Sequence, residues 1–298
     1  MPPKTLIVIT GPTGIGKTSV AISVAKRLGC EIINADSRQI YRGIPIGTAA
    51  PTAEEQAQVK HHFVAFKNLD ERYSAAQFEA DALQQLPSFW DKGDYAVMCG
   101  GSMMYVDAVC KGIDSVPDIT DEVRAEAKRQ FEQYGLALLL QELEQADPAY
   151  FAIVDKKNPK RVIHALEVCR QTGRTYTSFR TGKKKERPFR IIKIGLNMER
   201  AALFSRINSR VDAMMEAGFE QEAKSVYHLR HYNSLNTVGF KEMFAYFDGK
   251  MDYITARERI KKNTRVYAKK QLTWYAKDPD IQWIHPSDAT NKILQIIK

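Results

Sequence analysis

Ile7-Val-Ile-Thr-Gly11-Pro-Thr-Gly14-Ile-Gly16-Lys17-Thr18-Ser19 decides how the rest of the chain is read. Gly11, four residues, then Gly16-Lys17-Thr18 is the P-loop spacing. It follows an apolar run and precedes a helical pattern at Val20, Ala21, Val24, Ala25 and Leu28. Such a loop turns backbone N–H groups on phosphate oxygens at a helix start, where the helix's partial positive charge adds to the full charge of Lys17. A diphosphate is therefore expected at Gly11, Thr13, Gly14, Ile15, Gly16, Lys17 and Thr18, with the Thr18 hydroxyl as a ligand for Mg2+. A glycine-rich strand-to-helix turn that binds nothing is the plainer alternative. The motif does not name the molecule that carries the phosphates.

The 298 residues have room for one large domain, or a core with an appended unit, and 44% apolar composition suffices for a buried interior. Disorder and a fibrous class are set aside. A formal charge of +9 suits a polyanionic partner such as nucleic acid, although it also serves solubility alone. Cys30, Cys99, Cys110 and Cys169 are scattered without a C-x-x-C pair, so neither a zinc site nor a disulfide framework is expected. The chain opens almost directly on its first strand, with no signal peptide read, and no apolar stretch has membrane-spanning length. The expectation is a cytoplasmic protein.

Past the P-loop helix, Glu31-Ile-Ile-Asn-Ala is a short strand ending in Asp36-Ser-Arg-Gln-Ile-Tyr41. Polar groups just beyond a strand of a parallel sheet land in the crevice where such sheets bind ligands, which makes Asp36 a candidate chemical residue. A helix N-cap is the equal alternative. Residues 43–75 are loop-rich and lead into a helix capped near Ser74 that carries Phe78, Ala82 and Leu86. The pair His61-His62 lacks a third ligand at metal spacing and reads as structural or surface histidine. Tyr95–Cys99 is a third strand, and Gly100-Gly101-Ser102 brings a hydroxyl beside the phosphate site, or merely caps the next helix.

Between about Val116 and Lys185 the strands stop. Leu136, Leu139, Leu140 and Leu143 keep helical periodicity while Lys156-Lys157-Asn-Pro-Lys160-Arg161 and Arg174 through Lys185 accumulate charge. Arg190–Leu196 returns to a strand of the same sheet, followed by a helix from Leu203 to about Ala217 with Arg206 and Arg210 on one face. Residues 257–271 read as a strongly basic helix ending in Thr273-Trp274-Tyr275. Basic and aromatic residues interleaved in this way suit phosphate contact plus base stacking, unless Tyr267 and Trp274 belong to the core. Ile281–His285 and Ala289–Ile297 give a last strand and a closing helix. The fold class expected is α/β, a P-loop NTPase-like parallel sheet flanked by helices, with a mainly helical insertion. The core takes residues 1–115 and 188–298, and the insertion takes residues 116–187.

Several segments, in order and over nearly the whole chain, resemble the tRNA dimethylallyltransferases, also called tRNA isopentenyltransferases. They are Gly11-Pro-Thr-Gly-Ile-Gly-Lys-Thr18, Asp36-Ser-Arg-Gln-Ile-Tyr41 with Gly47-Thr48-Ala49, and His61-His62 ahead of Tyr73-Ser-Ala-Ala-Gln-Phe78. Gly100-Gly101-Ser102, Val116-Pro117 with Arg124, Arg161 with Ala165-Leu166-Glu167-Val168, and Arg206-Ile207 with Arg210-Val211 follow. Val238-Gly239-Phe240-Lys241-Glu242 and Thr264-Arg265 through Ala268-Lys269-Lys270-Gln271 with Thr273-Trp274 complete the set.

The resemblance implies transfer of a dimethylallyl group from its diphosphate to N6 of the adenosine beside the anticodon, position 37 of tRNA, with release of diphosphate. The P-loop then holds a prenyl diphosphate with Mg2+, and Arg206 or Arg210 adds donors to the same oxygens. Asp36 takes the N6 proton and Ser102 orients the amine; both touch the RNA, as do Ser37, Arg38 and Gln39. The target base is flipped into a channel that reaches the P-loop. Arg124 and Lys160, Arg161, Val162, Ile163 and His164 of the insertion hold the anticodon stem-loop, and the basic helix follows its phosphates. A monomer is expected.

Departures from the family pattern are few. Ser102 stands for the usual Thr and Phe240 for Tyr, while Lys160 and His164 hold positions of Gln and Arg. Three rival readings differ in chemistry. A small-metabolite kinase would lodge ATP in the loop, but Tyr95–Cys99 runs into Gly100-Gly101 with no Walker-B acid. Prenylation of free adenine nucleotides would leave the basic insertion and helix unused. A non-catalytic RNA-binding scaffold would give Asp36 and Ser102 no task.

Overall fold

The computed structural model describes residues 3–297, so residues 1, 2 and 298 of the expected core lie outside the described residues. Its strands are β1 (Thr5–Thr10), β2 (Ile32–Asn34), β3 (His61–His62), β4 (Tyr95–Cys99), β5 (Arg190–Leu196) and β6 (Ile281–Ile284). They form one parallel sheet in the order β3-β2-β4-β1-β5-β6. β1 lies at the middle, with Thr5 opposite Tyr95 on one side and Arg190 on the other. Side chains of a strand alternate between faces. Leu6 and Val8 join one apolar layer with Phe78, Met98 and Phe240, while Ile7 and Ile9 join the other with Val24, Val97 and Ile194. A strand covered on both faces must read as an unbroken apolar run, which is why Thr5–Thr10 was legible.

The helices are α1 (Lys17–Leu28), α2 (Pro45–Thr48), α3 (Ala53–Gln58), α4 (Ala75–Trp90), α5 (Met103–Lys111), α6 (Asp121–Ala146), α7 (Pro148–Ile153) and α8 (Pro159–Thr172). After the insertion come α9 (Arg200–Glu216), α10 (Phe219–Ser225), α11 (Phe240–Phe247), α12 (Tyr253–Tyr275) and α13 (Ala289–Ile296). The cap read at Ser74 forms a full capping box with Gln77. His61 and His62, read as part of a loop, instead make the two-residue edge strand β3. His62 Nε2 is bonded to Glu31 at 2.6 Å and its ring tilts against Phe89. Two histidines carry no strand propensity; tertiary pairing to β2 imposes the conformation.

The chain divides into two compact units, Met1–Lys111 with Glu186–Lys298, and Gly112–Lys185. Gly112, with φ of 84°, follows the last residue of α5, so the first boundary falls four residues before the expected 116. Within the second unit, Leu139, Leu143, Tyr150, Val154, Val162, Ala165 and Leu166 form a core of their own. α6 is broken at Gly135, whose φ of 74° and ψ of −172° no helix accommodates. The fully buried Asp147 caps α7 by accepting from Tyr150 N at 3.0 Å and also takes Thr177 N at 2.7 Å and the Thr177 hydroxyl at 2.8 Å.

Candidate active site

In a parallel α/β sheet, the loops at the carboxyl ends of the strands converge on one edge. Here the P-loop leaves β1, Asp36 follows β2 and Gly100-Gly101-Ser102 follows β4. Gly16 caps α1 with φ of 99°, a left-handed conformation that turns the loop back over the helix start. A Cβ on Gly100 would strike the Ala35 carbonyl, so the backbones after β4 and β2 are pressed together at the site's edge.

Two cavities open here. The first, about 270 Å³, lies over the P-loop and is lined by Thr13, Gly14, Gly16, Lys17 and Thr18 together with Asp36, Arg206 and Arg210. The second, about 460 Å³, is lined by Ser37, Arg38, Ser102, Lys241, Lys270 and the apolar Val211, Met214 and Val238 among others. Thr13, Asp36, Thr48, Arg210 and Tyr267 line both. The cavity over the P-loop is the smaller and carries three cationic side chains, which suits a compact anion, and the second has room for a larger group.

Lys17 Nζ donates to the loop's own carbonyls at Gly11, 3.1 Å, and Pro12, 3.0 Å. Burial pushes its pKa from 10.5 down to about 8, against the pull of Cys99 and Asp36, and Arg210 pushes the same way as burial. Arg206 Nε donates to Gly14 O at 3.2 Å. Arg210 makes no hydrogen bond or ion pair among the described residues; burial lowers its pKa and Asp36 opposes that. An uncompensated guanidinium facing both cavities is what an arriving anion would satisfy. Arg206 steadies the P-loop, and Arg210 is the open donor.

Asp36 Oδ1 accepts from Arg38 N at 2.9 Å, so the carboxylate does stabilise its own turn, and its other oxygen has no partner among the described residues. Ser102 does not cap α5 with its side chain. Its Oγ accepts from Ser37 N at 2.7 Å and donates to Ser37 Oγ at 3.0 Å, tying the β4 turn to the Asp36 segment.

Other expected residues are placed differently. Gly11 and Ile15 do not line the P-loop cavity: a Gly11 Cβ would lie 2.7 Å from Leu196 O, and Ile15 is wholly buried as the loop's anchor. Gln39 lines the P-loop cavity and not the wider one, its Nε2 donating to Thr48 O at 3.1 Å and Ala49 O at 2.8 Å. Arg38 lines the wider cavity but commits Nη1 to Asn233 O at 2.7 Å and Ser234 O at 3.1 Å. In the insertion, Val162 is wholly buried and has no face to offer RNA; Ile163 is half-buried and packs on the same core, while Lys160 and Arg161 are exposed. Arg124 and His164 both approach Glu167, each at 3.6 Å. On α12, Arg257 and Lys261 share Asp212, and Lys261 also pairs with Glu258, which leaves a narrower basic face than the sequence implied. Neither Tyr267 nor Trp274 is a core residue; Tyr275 is.

The sequence reading missed Gln271 as a site residue. Its amide accepts from Thr13 N at 2.8 Å and donates to Gly101 O at 2.8 Å, joining the P-loop to the β4 turn from α12. Its signal was the helical spacing Ile260, Thr264, Tyr267, Gln271, hidden in a run dominated by charge. Gln271→Leu leaves the buried Gly101 carbonyl and the half-buried Thr13 N–H without their partner, a cost of about 1–3 kcal/mol. We expect a lower melting temperature in calorimetry and weaker diphosphate binding in titration. Unchanged affinity would separate Gln271 from the P-loop's geometry.

A model of the IPP transferase family matches residues 39–278. The chain belongs to that family. tRNA dimethylallyltransferase 1 of Phocaeicola vulgatus is 55% identical over 295 residues, covering 99% of this chain and 98% of that one. tRNA dimethylallyltransferase 2 of Parabacteroides distasonis is 54% identical over 286 residues, 96% of each chain. Among solved structures, the full-length tRNA isopentenylpyrophosphate transferase of Bacillus halodurans is 35% identical with a TM-score of 0.71, over 99% of this chain and 95% of that one. A eukaryotic dimethylallyltransferase, described in crystallographic snapshots as acting on tRNA, is 25% identical with a TM-score of 0.82, over 98% of this chain and 78% of that one. The family model begins after Asp36, and the full-length relatives extend the likeness across the P-loop of this IPP transferase.

Proposed function

We propose that this IPP transferase moves the dimethylallyl group of dimethylallyl diphosphate to N6 of adenosine 37 of tRNA and releases diphosphate. The observation that carries the reading is the meeting of an anion-binding cavity and a wider cavity at Asp36 and Arg210. The names of the full-length relatives support the same chemistry.

P-loop amides, Lys17, Arg206 and Arg210 bind the diphosphate and neutralise the charge that grows on its bridging oxygen as the carbon–oxygen bond breaks. The adenine, flipped out of its loop, enters through the wider cavity. Its exocyclic amine is a weak nucleophile; the free oxygen of Asp36 accepts a hydrogen bond from N6, then its proton. Ser102 acts through Ser37 by holding the Asp36 segment in place. The Thr18 hydroxyl and the Glu55 carboxylate, whose residues line the P-loop cavity, would hold a Mg2+ ion, which would supply further neutralisation of the diphosphate. Arg124, Lys160, Arg161 and His164 are assigned to the anticodon stem-loop, and exposed Lys262, Lys269 and Lys270 of α12 to RNA phosphates. The reading takes a monomer as the working unit. No helix of the described residues is long and apolar enough to cross a membrane, and the reading places the enzyme with tRNA in the cytoplasm.

The test supplies labelled dimethylallyl diphosphate and Mg2+ with unmodified tRNA, with AMP, or with small metabolites and ATP. Label in tRNA is expected, and binding that falls steeply with salt. Label in AMP alone, or phosphoryl transfer without prenyl transfer, would overturn the proposal.

A further inference from the structure

Among the described residues, Tyr267 is the one aromatic that lines either cavity, and it lines both. It lies on the cavity-lining side of α12, three residues from Thr264 and from Lys270 and four from Gln271, the residue that latches the P-loop. The P-loop cavity is rich in cations, with Lys17, Arg206 and Arg210 arranged for the leaving group. Those cations oppose positive charge on the carbon that the leaving group departs from. Breaking an allylic carbon–oxygen bond places such charge on C1 and C3 of the dimethylallyl group. At the junction of the cavities the features that favour it are the Asp36 carboxylate and the negative face of the Tyr267 ring.

Resting on the transfer reaction above, we propose that Tyr267 is a catalytic residue whose ring face seats the dimethylallyl group and stabilises the positive charge on C1 and C3. The C1–O electron pair leaves with the diphosphate, the N6 lone pair forms the new N6–C1 bond, and the N6 proton passes to Asp36. Tyr267 exchanges no proton. Its hydroxyl has no hydrogen-bond partner among the described residues, and burial pushes its pKa up to about 12, so the phenol stays protonated while the ring acts. The ring borders the P-loop cavity, and C1 is one bond from the diphosphate oxygen, so the prenyl group and not the adenine is its natural neighbour.

The experiment compares wild type, Tyr267→Phe and Tyr267→Leu for single-turnover prenylation of tRNA, tRNA affinity and melting temperature. Tyr267→Leu is expected to lower the rate about tenfold or more with tRNA affinity within about twofold, and Tyr267→Phe no more than about threefold. With dimethylallyl diphosphate carrying a trifluoromethyl in place of one methyl, which resists cationic charge, the gap between wild type and Tyr267→Leu should shrink. An undiminished rate in Tyr267→Leu, a loss lodged wholly in tRNA affinity, an equal loss in Tyr267→Phe, or a gap indifferent to fluorination would each overturn the proposal. If Tyr267→Leu does not fold, Tyr267→Met serves under the same criteria. Failure of the wild type itself to prenylate tRNA would instead strike the reaction assigned above.

Discussion

Asp36→Asn is expected to transfer prenyl groups about 10²-fold more slowly or worse while binding tRNA and diphosphate as tightly as the wild type. The amide can still accept from Arg38 N through one oxygen, so the turn that Asp36 stabilises survives. What is lost is the acceptor for the N6 proton. Asp36→Ala removes both and should cost the same rate with a lower melting temperature. Single-turnover rates with saturating tRNA, set beside binding titrations, separate the two effects. An Asp36→Asn enzyme that turns over at the wild-type rate would leave the base to be found elsewhere.

The second large effect concerns Lys17. Burial holds its pKa at about 8, far below 10.5, so the free protein carries a proton there only up to roughly neutral or mildly basic pH. Wild-type affinity for inorganic diphosphate, taken relative to Lys17→Met so that the ligand's own ionisation cancels, should therefore be steady below pH 8 and fall as pH rises above it, because the site then loses a full positive charge. A folded-state pKa below the unfolded value also means that folding is penalised while the lysine is charged, and that the penalty fades as pH climbs from 8 toward 10.5. Lys17→Met should thus weaken diphosphate binding about 10²-fold or more at neutral pH, by less as pH rises above 8, and raise the melting temperature at neutral pH. Titration calorimetry across pH 6 to 10, with unfolding followed in parallel, checks both halves. A variant that binds diphosphate normally would remove Lys17 from the site.

The core was legible because its information is local. Thr5–Thr10 and Arg190–Leu196 are runs that only a covered strand accommodates, and the P-loop names its own conformation. The site was legible where polarity clusters at strand ends, as at Asp36 and Ser102. It was illegible where a residue acts across a long separation: Gln271 meets Thr13 258 positions away, and nothing near Gln271 announces the partner. β3 escaped because two histidines are drawn into the sheet by a neighbour and not by preference. Val162 was misplaced because a five-residue segment assigned to RNA as a block is a helix, whose period sends some of its residues inward. Charge misled on α12 for a related reason, since composition counts Arg257 and Lys261 but not the Asp212 that answers them.

The position of β1 between β4 and β5 sets an order of events during synthesis. β5 pairs with a strand made about 185 residues earlier, after the whole segment 112–185 has left the ribosome. That segment has its own apolar core and can close first. Until β5 arrives, β1 has one unpaired edge and half of its covering layer, an apolar surface that other chains could engage. Translation speed through the insertion therefore governs how long the nascent P-loop half stays vulnerable to aggregation, a matter of birth and not of catalysis.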